Sequence, residues 1–483
     1  MPPEHRLEAA IGHLRHRWRR PNAAPCDDLT TAIPTAPGAF PLLGHLPRFI
    51  RDPLQLLRAL PEYGDLVCLR LGGMNAVVVC DPELTRQVLA DDKTFDKGGQ
   101  LYQRFQELAG DNVGACSHSR HRRQRRLVQP AFHPGRMPAY AQVMVEQFDA
   151  VSRHWADGQI IDVLHEAATT TVSMLGTTMF SDTIPSAVMR QTLEDLHTVM
   201  SGATWRMVAP MGADRLPTPG NLRYHRARAR LRGTLDTVIA QRRASGIDNG
   251  DLISALLAAQ DPDGAAMSDI EISDNALGFF IAGSETTANT LAWALHLLDL
   301  HPAVDARVYA EVDRVLQGRA PAHTDLAALD LTRRVVLETL RLMAPAWMFT
   351  RVTSNDARLG THDLPAGTTV VFSPYLVHHL PGPHPEPERF DPDRWLDERT
   401  PDRTSYIPFG AGARKCVGDK FALMELTLIL ARVVSKWRLR HTDNHAVRPA
   451  LAAVLRPRKL RMRLDSREPR LPTPAPSPSP AAE

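Results

Sequence analysis

The feature that most constrains this chain is a helical hydrophobic pattern running from about residue 82 to 345 with no internal repeat and no linker. Apolar residues recur there at spacings of three and four with few β-branched alternations, which predicts one helix-rich body. Strand signals are confined to its margins. Leu66-Val-Cys-Leu-Arg-Leu71 and Ala76-Val-Val-Val-Cys80 flank Gly72-Gly73 and predict a β-hairpin. A second strand-rich patch spans Arg351 to Val371, and short strands are expected from Ala452 to Leu464. His378 to Asp402, crowded with Pro, Asp and Arg, should be irregular but ordered, and Ile33 to Gly44 should be an extended lead-in. Helix resumes after Cys416 and runs to about Trp437. The expected organisation is an N-terminal extension over 1–32, a mainly α domain with small β-sheets over 33–466, and a disordered Pro-rich tail over 467–483.

With 43% hydrophobic and 23% charged residues the chain can bury a substantial core, and a net charge of +3 gives no reason to expect a nucleic-acid partner. Cys26, Cys68, Cys80, Cys116 and Cys416 are scattered and form no CxxC, so a reducing, cytoplasmic setting is expected rather than a disulfide framework. No N-terminal apolar run is long enough for a membrane anchor. Leu7, Ile11, Leu14 and Trp18 do recur at helical spacing among Arg6, His13, Arg15, Arg17, Arg19 and Arg20. That segment reads either as a basic helix resting on a membrane surface or as a solvated extension, ended by Pro21.

The strongest chemical signal is Phe409-Gly410-Ala-Gly412-Ala-Arg414-Lys-Cys416-Val-Gly418. A thiolate that donates electrons to a haem iron favours O–O cleavage, and it needs backbone N–H donors and shielding to stay ionised and unoxidised. Gly410, Gly412 and Gly418 let the backbone turn sharply and lie against a porphyrin, and Phe409 shields the sulfur. The helix that starts after Cys416 directs its positive end at the thiolate. The alternative is a structural cysteine in a Gly-rich turn.

Two further constellations carry weight. Glu338 and Arg341 stand three apart on one helical face in an apolar neighbourhood, Val335 to Met343, where a buried pair needs additional partners. Ala282-Gly283-Ser-Glu285-Thr286-Thr287 sits inside a long apolar helical run, Ala276 to Leu298, where a carboxylate and hydroxyls are costly unless they hydrogen-bond or function. One reading is a Ser/Thr bend, with hydroxyls bonding back to preceding carbonyls. His378-His379 and Asp91-Asp92 read as ordinary loop residues and not as metal sites.

The Cys416 loop resembles the signature of the cytochrome P-450 superfamily, and the resemblance extends from about Pro34 to Leu464. It implies the P-450 fold, a single large triangular-prism domain, with haem b bound through Cys416. By the same resemblance Arg394, in Phe390-Asp-Pro-Asp-Arg394-Trp395, joins Glu338 and Arg341 in a structural triad. Gly283, beside Ala282, would open the helix locally for dioxygen, Thr286 would hydrogen-bond the oxygen, and Glu285 would relay protons. His121, Arg125, Arg351 and Arg414 match the family's haem-propionate contacts. Arg122, Arg123, Arg126, Lys415 and Lys420 would leave a basic surface for an acidic electron donor.

The family's substrate-recognition regions fall on Gly99–Cys116, Thr204–Met211, Phe279–Ala282, Ala346–Phe349 and Ala453–Leu455. Phe279, Phe280, Trp347, Met348, Phe349 and Val454 would line the pocket, with Trp205, Met207 and Met211 as an adaptable lid. The chain after Cys416 is too short for a fused reductase, so electrons from NAD(P)H are expected through a separate ferredoxin and ferredoxin reductase. The Arg-rich helix followed by Gln129-Pro-Ala-Phe-His133, with Ala346-Trp-Met-Phe-Thr-Arg351, resembles actinobacterial hydroxylases acting on terpenes and other specialised metabolites, and a monomer is expected. A polyketide or macrolactam substrate, a peroxide-driven peroxygenase and a non-catalytic haem-binding protein are the alternatives.

Overall fold

The computed structural model describes residues 33–181, 186–208, 216–396, 404–442, 447–451 and 454–467. The expectations for the extension over 1–32, for Met211, for Ala453 and for nearly all of the tail lie outside the described residues, as do the side chains of Trp205 and Met207.

Helices make up the body, as the periodicity requires. We label those that build the site α1 (Gly99–Ala109), α2 (His118–Val128), α3 (Met137–Val151), α4 (Val163–Phe180), α5 (Ser186–Val208), α6 (Pro219–Ser245), α7 (Asp269–Leu300), α8 (Asp330–Leu342) and α9 (Asp419–Lys436). The central one is α7, 32 residues long and buried around most of its circumference. Its start is set by a capping box. The Ser268 hydroxyl accepts from the Glu271 amide at 3.3 Å, and the Glu271 carboxylate accepts from the Ser268 amide at 2.9 Å. Helix α4 packs along α7 closely enough that the Thr171 hydroxyl donates to the Ser284 carbonyl at 3.1 Å.

The hairpin forms as expected. Strands β1 (Leu66–Leu71) and β2 (Met74–Val79) pair antiparallel. They extend into a five-stranded sheet with β3 (Phe95–Asp96), β4 (Phe349–Thr353) and β5 (Thr369–Phe372), in the order β1-β2-β5-β4-β3. The β2–β5 pair is parallel, with Val77 opposite Val370. Four strands escape the sequence reading: Ile160–Asp162, Trp437–His441, Pro449–Leu451 and Phe95–Asp96. The first two join Arg461–Ser466 in a second sheet. At two to five residues each, they are too short to interrupt a helical periodicity. The lead-in is extended, with Thr35 bridged to Cys68.

The irregular segment after His378 is held by charge. Glu338 and Arg341, both fully buried, pair at 2.8 Å, and Arg394 reaches the same carboxylate at 3.5 Å. Arg341 also donates to the carbonyls of His378, Pro387 and Arg389. The Trp395 indole N–H completes the carboxylate at 2.9 Å, a partner the triad reading left out. His378 ends a short helix, Pro374–His378. Its ring bonds the Arg341 carbonyl and accepts from the Ile407 amide, so it is a buried tie and not a loop residue.

Candidate active site

A cavity of about 340 Å³ lies between α7 and the Cys416 loop. Cys416, Phe409, Gly410, Gly418, Ala282, Gly283, Thr286, Phe279, Phe349, His121, Arg125, Arg351 and Arg414 all line it. Residues more than 290 positions apart in sequence therefore converge on one space.

The loop closes on itself, the Cys416 amide donating to the Phe409 carbonyl at 2.9 Å. Its thiol opens into the cavity yet sits deep within the protein, so burial raises its pKa, opposed by the Gly418 N–H that bonds the sulfur. Gly410 has φ +67° with nothing within 4 Å of a hypothetical Cβ, so its missing side chain leaves cavity space. Gly412 does something else. At φ +67° its Cβ would fall 2.1 Å from the Leu89 carbonyl oxygen, so the glycine admits a neighbouring helix end and does not line the cavity.

The cations gather on the same cavity. Arg351 donates to the Tyr102 hydroxyl at 2.8 Å, and Arg125 to the Lys415 carbonyl. Arg414 is more committed than the sequence suggested: Nε bonds Asp92 at 2.7 Å, Nη2 bonds Asp96 at 2.8 Å, and Nη1 bonds the Cys116 carbonyl at 2.7 Å. Asp92 is thus a counter-ion and not half of an isolated acidic pair. Lys97, which the sequence reading missed although it stands two residues before a recognition segment, also lines the cavity. Burial, then Arg351 and Arg414, pushes its pKa down to about 7. Burial, then Arg414 and Lys97, pushes His121 down to about 3. Cations that depress one another around an open space make a set whose chemistry calls for a dianion. The two propionates of a haem would supply that charge, and the Gly410 gap and the cavity-facing thiol suit the rest of such a group.

Across the cavity, α7 is continuous. The Thr286 hydroxyl donates to the Ala282 carbonyl at 2.7 Å, the bend-type bond, and no local opening occurs. Gly283 makes room for α4, because its Cβ would lie 3.0 Å from Leu175 Cδ1. Glu285 is half-buried and does not line the cavity. Burial raises its pKa, and Arg456 opposes the shift.

Four pocket expectations are corrected. Phe280 is buried and stacks on Phe180 at 5.6 Å, because it points a third of a turn from Phe279. Trp347 packs near Phe49, and Met348 packs with the same cluster under the sheet. Side chains alternate along extended chain, so in β4 Phe349 and Arg351 share the cavity face. Val454 is buried elsewhere. In their place the wall holds Phe105, Val113, Phe132, Leu175 and Leu252, with Phe132 edge-on to Phe279 at 5.2 Å. Glu425 also lines it. Its Oε1 has no partner, and burial pushes its pKa up to about 8. The available signal was its place on the apolar stripe of α9, four residues after Phe421.

A family model for Cytochrome P450 matches residues 34–463. The chain belongs to the cytochrome P450 family. The P450 is 43% identical to pentalenene oxygenase of Streptomyces avermitilis over 438 residues, 90% of this chain and 98% of the relative. It is 45% identical to cyclooctat-9-en-7-ol 5-monooxygenase of Streptomyces melanosporofaciens over 410 residues, 84% and 89% of the two chains. The crystal structure of the cytochrome P450DA heme domain superposes with a TM-score of 0.79 at 27% identity, covering 90% of this chain and 98% of that one. This P450 is therefore a haem-dependent monooxygenase with the P450 fold. Among the described residues no helix is long and apolar enough to cross a membrane.

Proposed function

We propose that this P450 hydroxylates a bulky, uncharged terpenoid, with Cys416 as the thiolate that would hold the iron of haem b. One observation carries the substrate class. The cations on the cavity form a set suited to the haem propionates, the one lining carboxyl, Glu425, has its pKa raised by burial to about 8, and much of the remaining wall, Phe105, Val113, Leu175, Leu252 and Phe279, is apolar. Such a wall recognises shape and hydrocarbon surface and offers no counter-ion to a charged substrate. The relatives named for pentalenene and cyclooctat-9-en-7-ol favour a terpenoid over a polyketide or macrolactam.

When bound, the haem would supply an iron at which dioxygen, two electrons and two protons give one oxygen atom inserted into the substrate and one water. His121, Arg125, Arg351, Arg414 and Lys97 would hold its propionates, with Tyr102 orienting Arg351. Phe409, Gly410, Gly418 and Ala282 would border its faces. Thr286, whose hydroxyl proton is given to Ala282, keeps lone pairs to accept a hydrogen bond at the cavity, and Glu285 behind it holds a proton more readily than an exposed carboxylate. That pair favours an oxygenase over a peroxide-driven enzyme.

Electrons would come from NAD(P)H through a ferredoxin reductase and a ferredoxin in the cytoplasm, to a monomeric enzyme. The docking face is narrower than the sequence suggested. Arg123 is paired with Glu271 at 2.6 Å and Lys415 with Asp419 at 2.5 Å, leaving Arg122, Arg126 and Lys420 exposed. The test is reconstitution with a ferredoxin system and a panel of terpene hydrocarbons and alcohols. A low-to-high-spin shift and NAD(P)H-dependent product with a terpenoid are expected. Shifts and turnover confined to polyketides would overturn the substrate class.

A further inference from the structure

Five of the exposed large hydrophobic side chains of the described residues fall in one corner of the molecule. Leu42 is 97% exposed, Ile50 70%, Phe40 53% and Leu43 51%, with Met74 at the neighbouring hairpin tip. The corner is built, not frayed. Phe40 and Gly44 exchange backbone hydrogen bonds of 2.8 and 2.9 Å, so Pro41, Leu42 and Leu43 form the tip of a tight turn. Leu42 holds that tip at φ +62°, a left-handed conformation that glycine or asparagine adopts more readily.

The base of the turn is locked to β1. The His45 amide donates to the Arg70 carbonyl at 2.6 Å, while the buried His45 ring bonds the Ala36 carbonyl at 2.7 Å and accepts from the Arg70 amide at 3.1 Å. A side chain on Gly44 would strike the Arg70 carbonyl at 2.2 Å. The fold therefore fixes a strained turn in place and uses it to present a leucine that buries nothing in the protein.

The charges around this corner have one sign. Ile33 to Arg51 contains no carboxylate, and Arg48, Arg51 and Arg70 are exposed around the apolar tip. Asp52, the nearest acid in sequence, is occupied as a helix cap by the Gln55 amide at 3.0 Å. A projecting apolar tip ringed by arginines complements an anionic lipid surface: side chains enter below the headgroups while guanidinium groups meet phosphates. An acidic protein would satisfy the arginines but would not need a fully exposed leucine at the tip.

We propose that the Phe40–Ile50 corner docks this P450 peripherally on an anionic lipid bilayer. The test uses the full-length holoenzyme in sedimentation with vesicles of phosphatidylcholine alone and of phosphatidylcholine with phosphatidylglycerol in equal parts. Binding to the mixed vesicles is expected, weakened by salt. Binding should fall about tenfold or more in Leu42→Asp/Ile50→Asp, which removes two inserted side chains. That variant keeps its haem spectrum, since neither side chain contacts the cavity. A Leu42→Cys variant carrying a polarity-sensitive dye should shift its emission to the blue only when mixed vesicles are added. Wild-type protein that stays in solution with both vesicle types overturns the proposal, as does a double variant that still sediments. A dye already in an apolar environment without lipid also overturns it, and would mean that residues 1–32 of the same chain cover the tip.

Discussion

Replacing Glu338 by glutamine isolates what holds the irregular segment to the core. The wild-type carboxylate receives Arg341 Nε at 2.9 Å and Nη2 at 2.8 Å, the Trp395 indole at 2.9 Å and the Asp391 amide at 3.1 Å, with no exposure to water. Glutamine keeps the shape but removes the charge, and turns an N–H₂ group toward donors that need an acceptor. Breaking a buried pair from one side costs about 3–5 kcal/mol, and a buried donor left unsatisfied costs about 1–3 kcal/mol. These overlap, so a loss of about 3–5 kcal/mol is expected. Arg341 keeps its three carbonyl acceptors, which is why the loss should stop short of complete unfolding. Equilibrium urea titration followed by tryptophan fluorescence and by the haem band measures it, and haem loss should accompany the earlier transition. The double variant Glu338→Gln/Arg341→Met also strips the donor from the His378, Pro387 and Arg389 carbonyls and should lose more than the single variant. A single variant within about 1 kcal/mol of wild type, the worth of an exposed ion pair, would refute the reasoning.

Three other outcomes are expected. Cys416→Ser should abolish the red-shifted reduced-carbonyl band of thiolate-ligated haem, and a persisting band would move the ligand elsewhere. Thr286→Ala should retain haem and substrate binding but release more hydrogen peroxide per NAD(P)H consumed; unchanged coupling would remove the hydroxyl from proton delivery. For Glu425, raised to about 8 in the fold, the native state binds the extra proton between the ordinary carboxylate range and pH 8. Stability should therefore fall as pH rises through that window, by at most about 1.4 kcal/mol per pH unit. Glu425→Gln should flatten the slope between pH 5 and 8 in thermal or urea unfolding, and an unchanged slope would assign it to other groups.

Local pattern and tertiary contact divide this protein between them. The β1–β2 hairpin, the long α7 helix, the Cys416 loop and the Glu338/Arg341 spacing were legible because each is set by neighbours in the chain: periodicity, turn chemistry, or two residues on one helical face. Short strands such as Ile160–Asp162 were not, because pairing with Arg461–Ser466 across the chain creates them. The same divide runs through the site. That Phe279 and Phe349 line the cavity, while Phe280 and Trp347 do not, depends on which face of each element meets a partner. Tyr102 reaches Arg351, and Asp92 and Asp96 claim Arg414, only because the fold brings residues 249 to 322 positions apart within hydrogen-bond reach. Sequence alone determined the chemistry on offer, a thiol in a glycine-rich loop and a hydroxyl on an apolar helix. Tertiary structure decided which charges meet and which side chains face the cavity, because burial and pairing belong to surfaces in contact and not to positions along a chain.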